Sequence, residues 1–178
     1  MKQVLVISAT PRKGGNSDVL CDEFVRGARE AGHSAEKIFL CDKKIGFCTA
    51  CDYCQTNAGE CIQDDDMAEI LEKLVSSDVI VLASPVYFYT LNAQMKTLID
   101  RVYARFTEVR GKELYFMVTA ADTEVANMQR TIECFRGFAD CLPESKEMGV
   151  IYGTGAWEVG DIKKLPAMGQ AYEMGKAV

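Results

Sequence analysis

The chain has 178 residues, of which 48% are hydrophobic and 26% are charged, so one domain with a buried core is predicted over residues 1–178. Its formal net charge of -6 argues against nucleic acid and anionic membranes as partners, because both repel an acidic protein. No apolar stretch approaches the roughly 20 residues that are needed to span a bilayer.

The first residues, MKQVLVISAT, lack the long apolar core and cleavage site of a secretory signal and are typical of a first strand. We therefore expect a cytoplasmic protein, in a compartment where structural disulfides are rare. The single histidine, His33, follows a glycine that is typical of a helix end, and we expect it in an exposed turn. With one histidine, the chemistry is expected to come from a cofactor, from thiols or from acids.

Short apolar segments alternate with amphipathic segments along the whole chain. Strands are predicted at residues 3–8, 35–40, 78–84, 113–121 and 147–153. Helices are predicted at residues 17–32, 64–77, 92–106, 122–142 and 165–178. This alternation predicts an α/β fold with a parallel sheet covered by helices on both faces. Such sheets bind ligands beyond the carboxyl ends of their strands, so the loops after the strands are the expected site.

The loop after the first strand, SATPRKGGNSD, combines polar side chains, cations and two adjacent glycines. Glycine lets a backbone approach a ligand closely, and Asn16 or Ser17 is expected to cap the next helix. The N–H groups and dipole of a helix start favour an anion. The loop is therefore predicted to bind a phosphate, although it matches neither G-x-x-x-x-G-K-[ST] nor G-x-G-x-x-G. The alternative is an ordinary loop with a helix cap.

The loop after the third strand, SPVYFY, places Pro85 and Val86 before three aromatic residues. Aromatic side chains in a loop suit the stacking of a flat ring ligand. The alternative is a loop packed on a neighbouring subunit, and both arrangements can hold at once.

The segments SATPRKGGNS, DVIVLASPVYFYTLNAQMKTLIDR and YGTGAWEVGD resemble the NADPH-dependent FMN reductase family of flavodoxin-like proteins. The resemblance implies a three-layer sandwich with a five-stranded parallel sheet in the order 2-1-3-4-5. It implies FMN as the cofactor, NAD(P)H as a substrate, and a small-molecule or protein electron acceptor. It also implies a homodimer or homotetramer with FMN near the interface.

The resemblance also implies which residues bind FMN. The loop after strand one binds the phosphate, and the loops after strands three and four surround the isoalloxazine ring. No side chain is assigned as catalytic, because the flavin carries the chemistry. The implied phosphate ligands are Ser8, Thr10, Arg12, Asn16 and Ser17, and the implied ring contacts are Pro85, Val86, Tyr87, Phe88, Ala120, Ala121 and Asp122.

The segment CTACDYCQTNAGEC, residues 48–61, holds half of the eight cysteines. Cys48, Cys51, Cys54 and Cys61 resemble, in spacing and position, the compact motif of the iron-sulfur flavoprotein branch of the family. The resemblance implies a [4Fe-4S] cluster on four thiolates. The alternatives are a four-cysteine zinc site, a redox-active C-x-x-C pair, and free thiols.

The other cysteines and an acidic run are given structural interpretations. Cys21 is expected in the core, Cys134 and Cys141 are expected to pack on one helix face, and Cys41 has no assigned role. Residues 64–66, three consecutive aspartates, are explained by a helix cap and first-turn acids, and the alternative is metal binding.

Three functions are compatible with these patterns. The first is an FMN-dependent NAD(P)H oxidoreductase that passes hydride from NAD(P)H to FMN and electrons on to an acceptor. The second is an electron carrier with FMN and a [4Fe-4S] cluster that accepts electrons from ferredoxin. The third is a flavodoxin-like binding module with a zinc loop.

Overall fold

The computed structural model describes residues 1–178, and a central sheet runs through it between two layers of helices. The strands are β1 (Gln3–Ser8), β2 (Ser34–Phe39), β3 (Val79–Tyr87), β4 (Thr90–Leu91), β5 (Glu113–Thr119) and β6 (Lys146–Gly153). The helices are α1 (Asn16–Glu30), α2 (Tyr53–Thr56), α3 (Met67–Ser76), α4 (Ala93–Val102), α5 (Gln129–Ala139) and α6 (Ala167–Lys176). No helix combines the length and the apolar character that crossing a bilayer requires.

Five strands are parallel and lie in the order β2-β1-β3-β5-β6, which confirms the predicted strand order. The structure adds β4, a two-residue strand that pairs antiparallel with the end of β3 and was not predicted. The hairpin between them has a two-residue loop, Phe88 and Tyr89, with φ angles of 49° and 64°. Positive φ at both positions is what a tight hairpin turn requires, and the sequence gives no glycine or asparagine to signal it.

Successive side chains of each strand point to opposite faces of the sheet, so the core has two halves, one on each face. Leu5 and Ile7 of β1 face the layer formed by α3, α4 and α5, whereas Val4 and Val6 face α1 and α6. Burial on both faces explains why these strands are almost continuously apolar. The backbones of α1 and α6 approach closely at Gly27, where a Cβ atom would lie 2.1 Å from the Tyr172 carbonyl oxygen.

Several local predictions are wrong. The long helix predicted over residues 122–142 consists of a 3₁₀ turn (Val125–Met128) followed by α5. Cys134 and Cys141 are exposed rather than packed, and both line an apolar groove between α4 and α5. His33 is half-buried, because its ring accepts a bond from the Lys2 N–H and contacts the Val178 carbonyl oxygen. Cys21 is buried in the core, as predicted.

Candidate cofactor site

A cleft of about 410 Å³ opens at the carboxyl edge of the parallel sheet. It lies where the loops after β1, β5 and β6 meet the last residues of β3, which is the position expected for a ligand in this fold. Nine of the residues predicted from the sequence line it, namely Thr10, Arg12, Asn16, Ser17, Pro85, Val86, Tyr87, Ala120 and Ala121. The structure adds four residues that the prediction missed, namely Thr119, Ala156, Trp157 and Glu158.

The loop after β1 is a tight turn around Gly15. The Gly15 N–H donates to the Arg12 carbonyl oxygen at 2.8 Å, and a Cβ atom at Gly15 would lie 2.7 Å from that oxygen. The Arg12 N–H in turn donates to the Thr10 hydroxyl at 3.3 Å. Only glycine fits this position without moving the loop. The turn places the start of α1 at the edge of the cleft.

The carboxylate of Asp18 anchors the loop after β1 through a hydrogen bond from its backbone. It accepts the Gly14 N–H at 2.9 Å and pairs with the Lys37 ammonium at 2.8 Å, in a buried position. Burial acts to raise the pKa of Asp18, but the bonds from Lys37 and from Gly14 outweigh it and hold the pKa below the ordinary 3.8. Asp18 is therefore ionised at neutral pH and fixes the glycine turn.

Asn16 connects the start of α1 to the loop after β6. Its amide donates to the carbonyl oxygens of Ala156 and Glu158 and accepts from the N–H groups of Gly160 and Ile162. The prediction that Asn16 or Ser17 caps α1 is wrong, because Gly15 is the N-cap residue and no side chain caps the helix. The N–H groups of the first turn thus have neither an intrahelical nor a side-chain acceptor, which suits an anion.

Asn92 lies buried beneath the cleft and was also missed by sequence analysis. Its amide oxygen accepts the Met95 N–H, which caps α4, and the Ser84 hydroxyl at 3.1 Å. Its amide nitrogen donates to the Ala9 carbonyl oxygen at the end of β1. One buried side chain therefore fixes the loop after β1, the strand β3 and the start of α4 relative to one another.

Backbone bonds join the loops after β5 and β6. The Ala156 N–H donates to the Ala120 carbonyl oxygen at 2.8 Å, and the Gly155 N–H donates to the Asp122 carbonyl oxygen at 2.9 Å. Beside this junction Trp157, the only tryptophan of the chain, lines the cleft with 71% of its surface exposed. An exposed indole at the mouth of a cleft is suited to stacking on a ligand.

Three residues implied by the resemblance are not part of the cleft lining. Ser8 is fully buried, and its hydroxyl has no hydrogen-bond partner within the chain. Phe88 lies at the hairpin tip and is 99% exposed. The Asp122 carboxylate accepts from the Glu124 N–H and the Asn127 amide. The roles of these residues in cofactor binding stay predictions.

The residues of the cleft fit the two chemical parts of FMN. One end offers Arg12, the hydroxyls of Thr10 and Ser17, and the open first turn of α1, which suit a phosphate. The other end offers Tyr87 and Trp157 beside Pro85 and Val86, which suit an aromatic ring. The cleft therefore has the polarity that a phosphorylated ring cofactor requires.

The cysteine segment lies outside this cleft and forms no disulfide bond. Cys48 and Cys51 are exposed, whereas Cys54 and Cys61 are half-buried. The pKa of Cys51 is lowered by the nearby Tyr53 N–H and Thr49 hydroxyl. No three thiol, carboxylate or imidazole groups lie close enough together to hold a single metal ion. The donor set, four thiols in one segment, nevertheless fits the chemistry of an iron-sulfur cluster.

The triad of aspartates before α3 is not simply a helix cap. Asp66 is the N-cap residue, but its side chain makes no capping bond. Asp65 instead accepts from the N–H groups of Gly46 and Met67 and pairs with Arg101. Asp65 thus does bond to the start of α3, through the Met67 N–H, but the interpretation missed the long-range ion pair that its carboxylate also forms with Arg101.

Comparison with known proteins agrees with this geometry. The model of the NADPH-dependent FMN reductase family matches residues 2–134. An iron-sulfur flavoprotein of Archaeoglobus fulgidus is 34% identical over 178 residues, which cover 95% of this chain and 77% of that protein. Another from Methanocaldococcus jannaschii is 41% identical over 99 residues, which cover 56% of this chain and 51% of the relative.

A solved structure shows the same fold at low identity. An azoreductase from Bacillus anthracis superposes with a TM-score of 0.77 at 13% identity and full coverage of both chains. The sheet order and the cleft at its carboxyl edge define a flavodoxin-like protein. The chain belongs to the NADPH-dependent FMN reductase family, and its class is that of the NAD(P)H-dependent FMN oxidoreductases.

Proposed function

We propose that the cleft binds FMN with its phosphate at the loop after β1 and its ring between the loops after β3, β5 and β6. FMN, when bound, supplies the chemistry by taking a hydride from NAD(P)H and passing electrons to an acceptor. The observation that carries the proposal is the polarity of the cleft, with cations and N–H groups at one end and aromatic residues at the other.

The chain contributes binding and orientation at the phosphate end. Arg12 supplies a positive charge, and the hydroxyls of Thr10 and Ser17 donate hydrogen bonds. The first-turn N–H groups of α1 bind phosphate oxygens without a cost in side-chain entropy. Asp18 and Asn16 act indirectly, since they hold the turn and the start of the helix in place.

At the ring end the chain supplies a rigid apolar wall and an aromatic edge. Pro85 is buried and Val86 half-buried, whereas Tyr87 and Trp157 are exposed at the mouth. This arrangement leaves one ring face open to solvent, where a nicotinamide or an acceptor can stack in turn. No acid or base of the chain is needed to move a proton for hydride transfer, which agrees with the absence of histidine from the cleft lining.

The test compares Arg12→Ala with Lys13→Ala. Arg12 lines the cleft, whereas the neighbouring Lys13 pairs with Asp42 at 3.2 Å and does not line it. A charge-assisted bond contributes about 1.5–3 kcal/mol, so Arg12→Ala is expected to weaken FMN binding about 10- to 100-fold. Lys13→Ala is expected to change it little. Equal effects of the two substitutions, measured by flavin fluorescence, would contradict the assigned phosphate end.

A second candidate function is electron transfer through FMN and a [4Fe-4S] cluster. It is supported by the four thiols of residues 48–61 and by the similarity to iron-sulfur flavoproteins. Cys48, Cys51, Cys54 and Cys61 would hold the cluster, and ferredoxin is the proposed electron donor. Iron and sulfide analysis of anaerobically purified protein, with Cys48→Ser as the variant that loses the cluster, tests this candidate. Purified protein with flavin but without iron or sulfide would contradict it.

The cytoplasmic location stays a proposal, and so does the homodimeric or homotetrameric state, which rests on the family resemblance. Light scattering of the FMN-loaded protein measures the oligomeric state directly. Cell fractionation measures the location.

A further inference from the structure

Arg101 forms a buried ion pair at the end of the cysteine segment. It lies on α4 with 3% of its surface exposed, and its guanidinium contacts both carboxylate oxygens of Asp65, at 2.6 Å and 3.0 Å. Such a planar two-point contact is specific to arginine, because the lysine ammonium is a point charge. Burying a guanidinium costs free energy unless its N–H groups have acceptors. The other acceptors of Arg101 therefore show what this side chain holds together.

The same guanidinium joins the two ends of the cysteine segment. It donates to the Gly46 carbonyl oxygen at 2.8 Å, which precedes the first cysteine by two residues. It also donates to the Gln63 amide oxygen at 3.3 Å, just after the last cysteine. The Gln63 amide nitrogen in turn donates to the Phe47 carbonyl oxygen at 2.9 Å. Residues 46–65 therefore form a loop whose two ends meet at one side chain.

Arg101 also contacts a cysteine of the motif. Its second terminal nitrogen lies 3.4 Å from the Cys61 sulfur, a distance at which an N–H donates to sulfur. Two other contacts join the segment to residues just after α4, and neither involves a cysteine sulfur. The Gln55 amide donates to the Tyr103 carbonyl oxygen, and Gly59 packs on the Arg105 side chain. A cation thus points at the sulfur that ends the motif.

We propose that Arg101 is a positioning residue that closes the cysteine segment and stabilises negative charge on the Cys61 sulfur. The proposal rests on the second candidate function, in which this sulfur is a cluster ligand. Hydrogen bonds to ligand sulfurs and the net charge around a cluster set its reduction potential. Reduction adds one electron, so a cation at a ligand sulfur favours the reduced state and raises the potential.

The experiment compares Arg101→Gln with Arg105→Gln in cluster-reconstituted protein. Arg105 supports the same segment through its contact with Gly59 but makes no contact with a motif sulfur. The midpoint potential of the cluster, measured by redox titration, is expected to shift to more negative values in Arg101→Gln and to stay unchanged in Arg105→Gln. Arg101→Lys keeps the positive charge, so its midpoint potential is expected to lie between those of Arg101→Gln and the parent protein. An unchanged potential in Arg101→Gln would overturn the proposal.

Hydrogen exchange of the cluster-free protein separates this proposal from the proposed function. Without the guanidinium, backbone amides of residues 46–65 are expected to exchange faster in Arg101→Gln than in the parent protein. Where the parent protein assembles no cluster on reconstitution, the second candidate function fails, and exchange alone decides the positioning role. Unchanged exchange in Arg101→Gln would then overturn it. Arg101→Lys serves the same comparison where the glutamine variant does not fold.

Discussion

The hydroxyl oxygens of Ser17 and Thr119 lie 2.7 Å apart and are both buried. Ser17 belongs to the first turn of α1 and Thr119 is the last residue of β5, so the bond joins a helix and a strand that are far apart in sequence. Both residues line the cleft. This single contact fixes the phosphate end of the proposed FMN site relative to the end of β5.

We expect Thr119→Val to lower both stability and FMN affinity. The substitution keeps the shape of the side chain but, in the FMN-free protein, leaves the buried Ser17 hydroxyl without a partner, at a cost of about 1–3 kcal/mol. Urea denaturation with and without FMN measures both effects. Thr97→Val, which removes a bond to the Ala93 carbonyl oxygen on the outer side of α4, is the matched control. An equal loss of FMN affinity in the control would contradict a specific role for Thr119.

Gly15→Ala is expected to weaken FMN binding by distorting the loop after β1. The added Cβ atom would meet the Arg12 carbonyl oxygen at 2.7 Å, so the turn must shift. The control is Gly169→Ala in α6, where a Cβ atom meets nothing within 4 Å. Since alanine is favoured over glycine in a helix, the control is expected to gain about 0.5–1 kcal/mol of stability with unchanged FMN affinity. Calorimetry of FMN binding to both variants distinguishes these outcomes.

Trp157 provides an intrinsic probe of the ring end of the cleft. It is the only tryptophan and is largely exposed, so its emission reports on one position. We expect FMN binding to quench this emission, because the indole stacks beside the ring. Trp157→Phe is expected to lose the signal while keeping FMN binding by flavin fluorescence. Saturation with FMN that leaves the tryptophan emission unchanged would place the ring elsewhere.

The ion pair of Asp65 and Arg101 predicts an acid-sensitive part of the folding stability. Burial acts to raise the pKa of Asp65, but bonds from Arg101, Gly46 and Met67 outweigh it and hold the pKa below 3.8. Because the folded pKa is lower than the unfolded one, the carboxylate stabilises the fold above about pH 4 and loses this effect as the pH falls through the folded pKa.

The measurement is the free energy of unfolding of the parent protein and of Asp65→Asn across a pH series. The substitution leaves Arg101 buried without its partner, so the variant is expected to be less stable at neutral pH. The difference between the two proteins is expected to be constant from pH 7 to about pH 5 and to shrink below about pH 4. A difference that stays constant down to pH 3 would contradict the assignment.

Sequence patterns predicted the fold well because the signal is local. The strands are short apolar runs, and the cleft residues around Gly15, Pro85 and Ala120 lie in or near the carboxyl ends of β1, β3 and β5, so strand order located the cleft. Thr119 was missed because a threonine within an apolar run is typical of a strand and gives no sign that its hydroxyl faces a site. Trp157 lies in a loop whose position depends on bonds to Asn16 across the whole chain.

The polar contacts beneath and beside the site could not be predicted for the same reason. Asn92 looks like an ordinary helix cap, but it also bonds to the Ala9 carbonyl oxygen, which directly follows β1. Arg101 looks like the solvated end of an amphipathic helix, but it is buried against Asp65. Each partner is determined by tertiary packing, and no local period encodes it.

The most direct test of the account is the anaerobic reaction of FMN-loaded protein with NAD(P)H, followed by flavin absorbance. Stoichiometric NADH or NADPH is expected to bleach the bound flavin, and a quinone added afterwards is expected to restore the absorbance. Bound flavin that neither nucleotide bleaches, in protein that binds FMN tightly, would contradict the assignment of the cleft to hydride transfer from NAD(P)H.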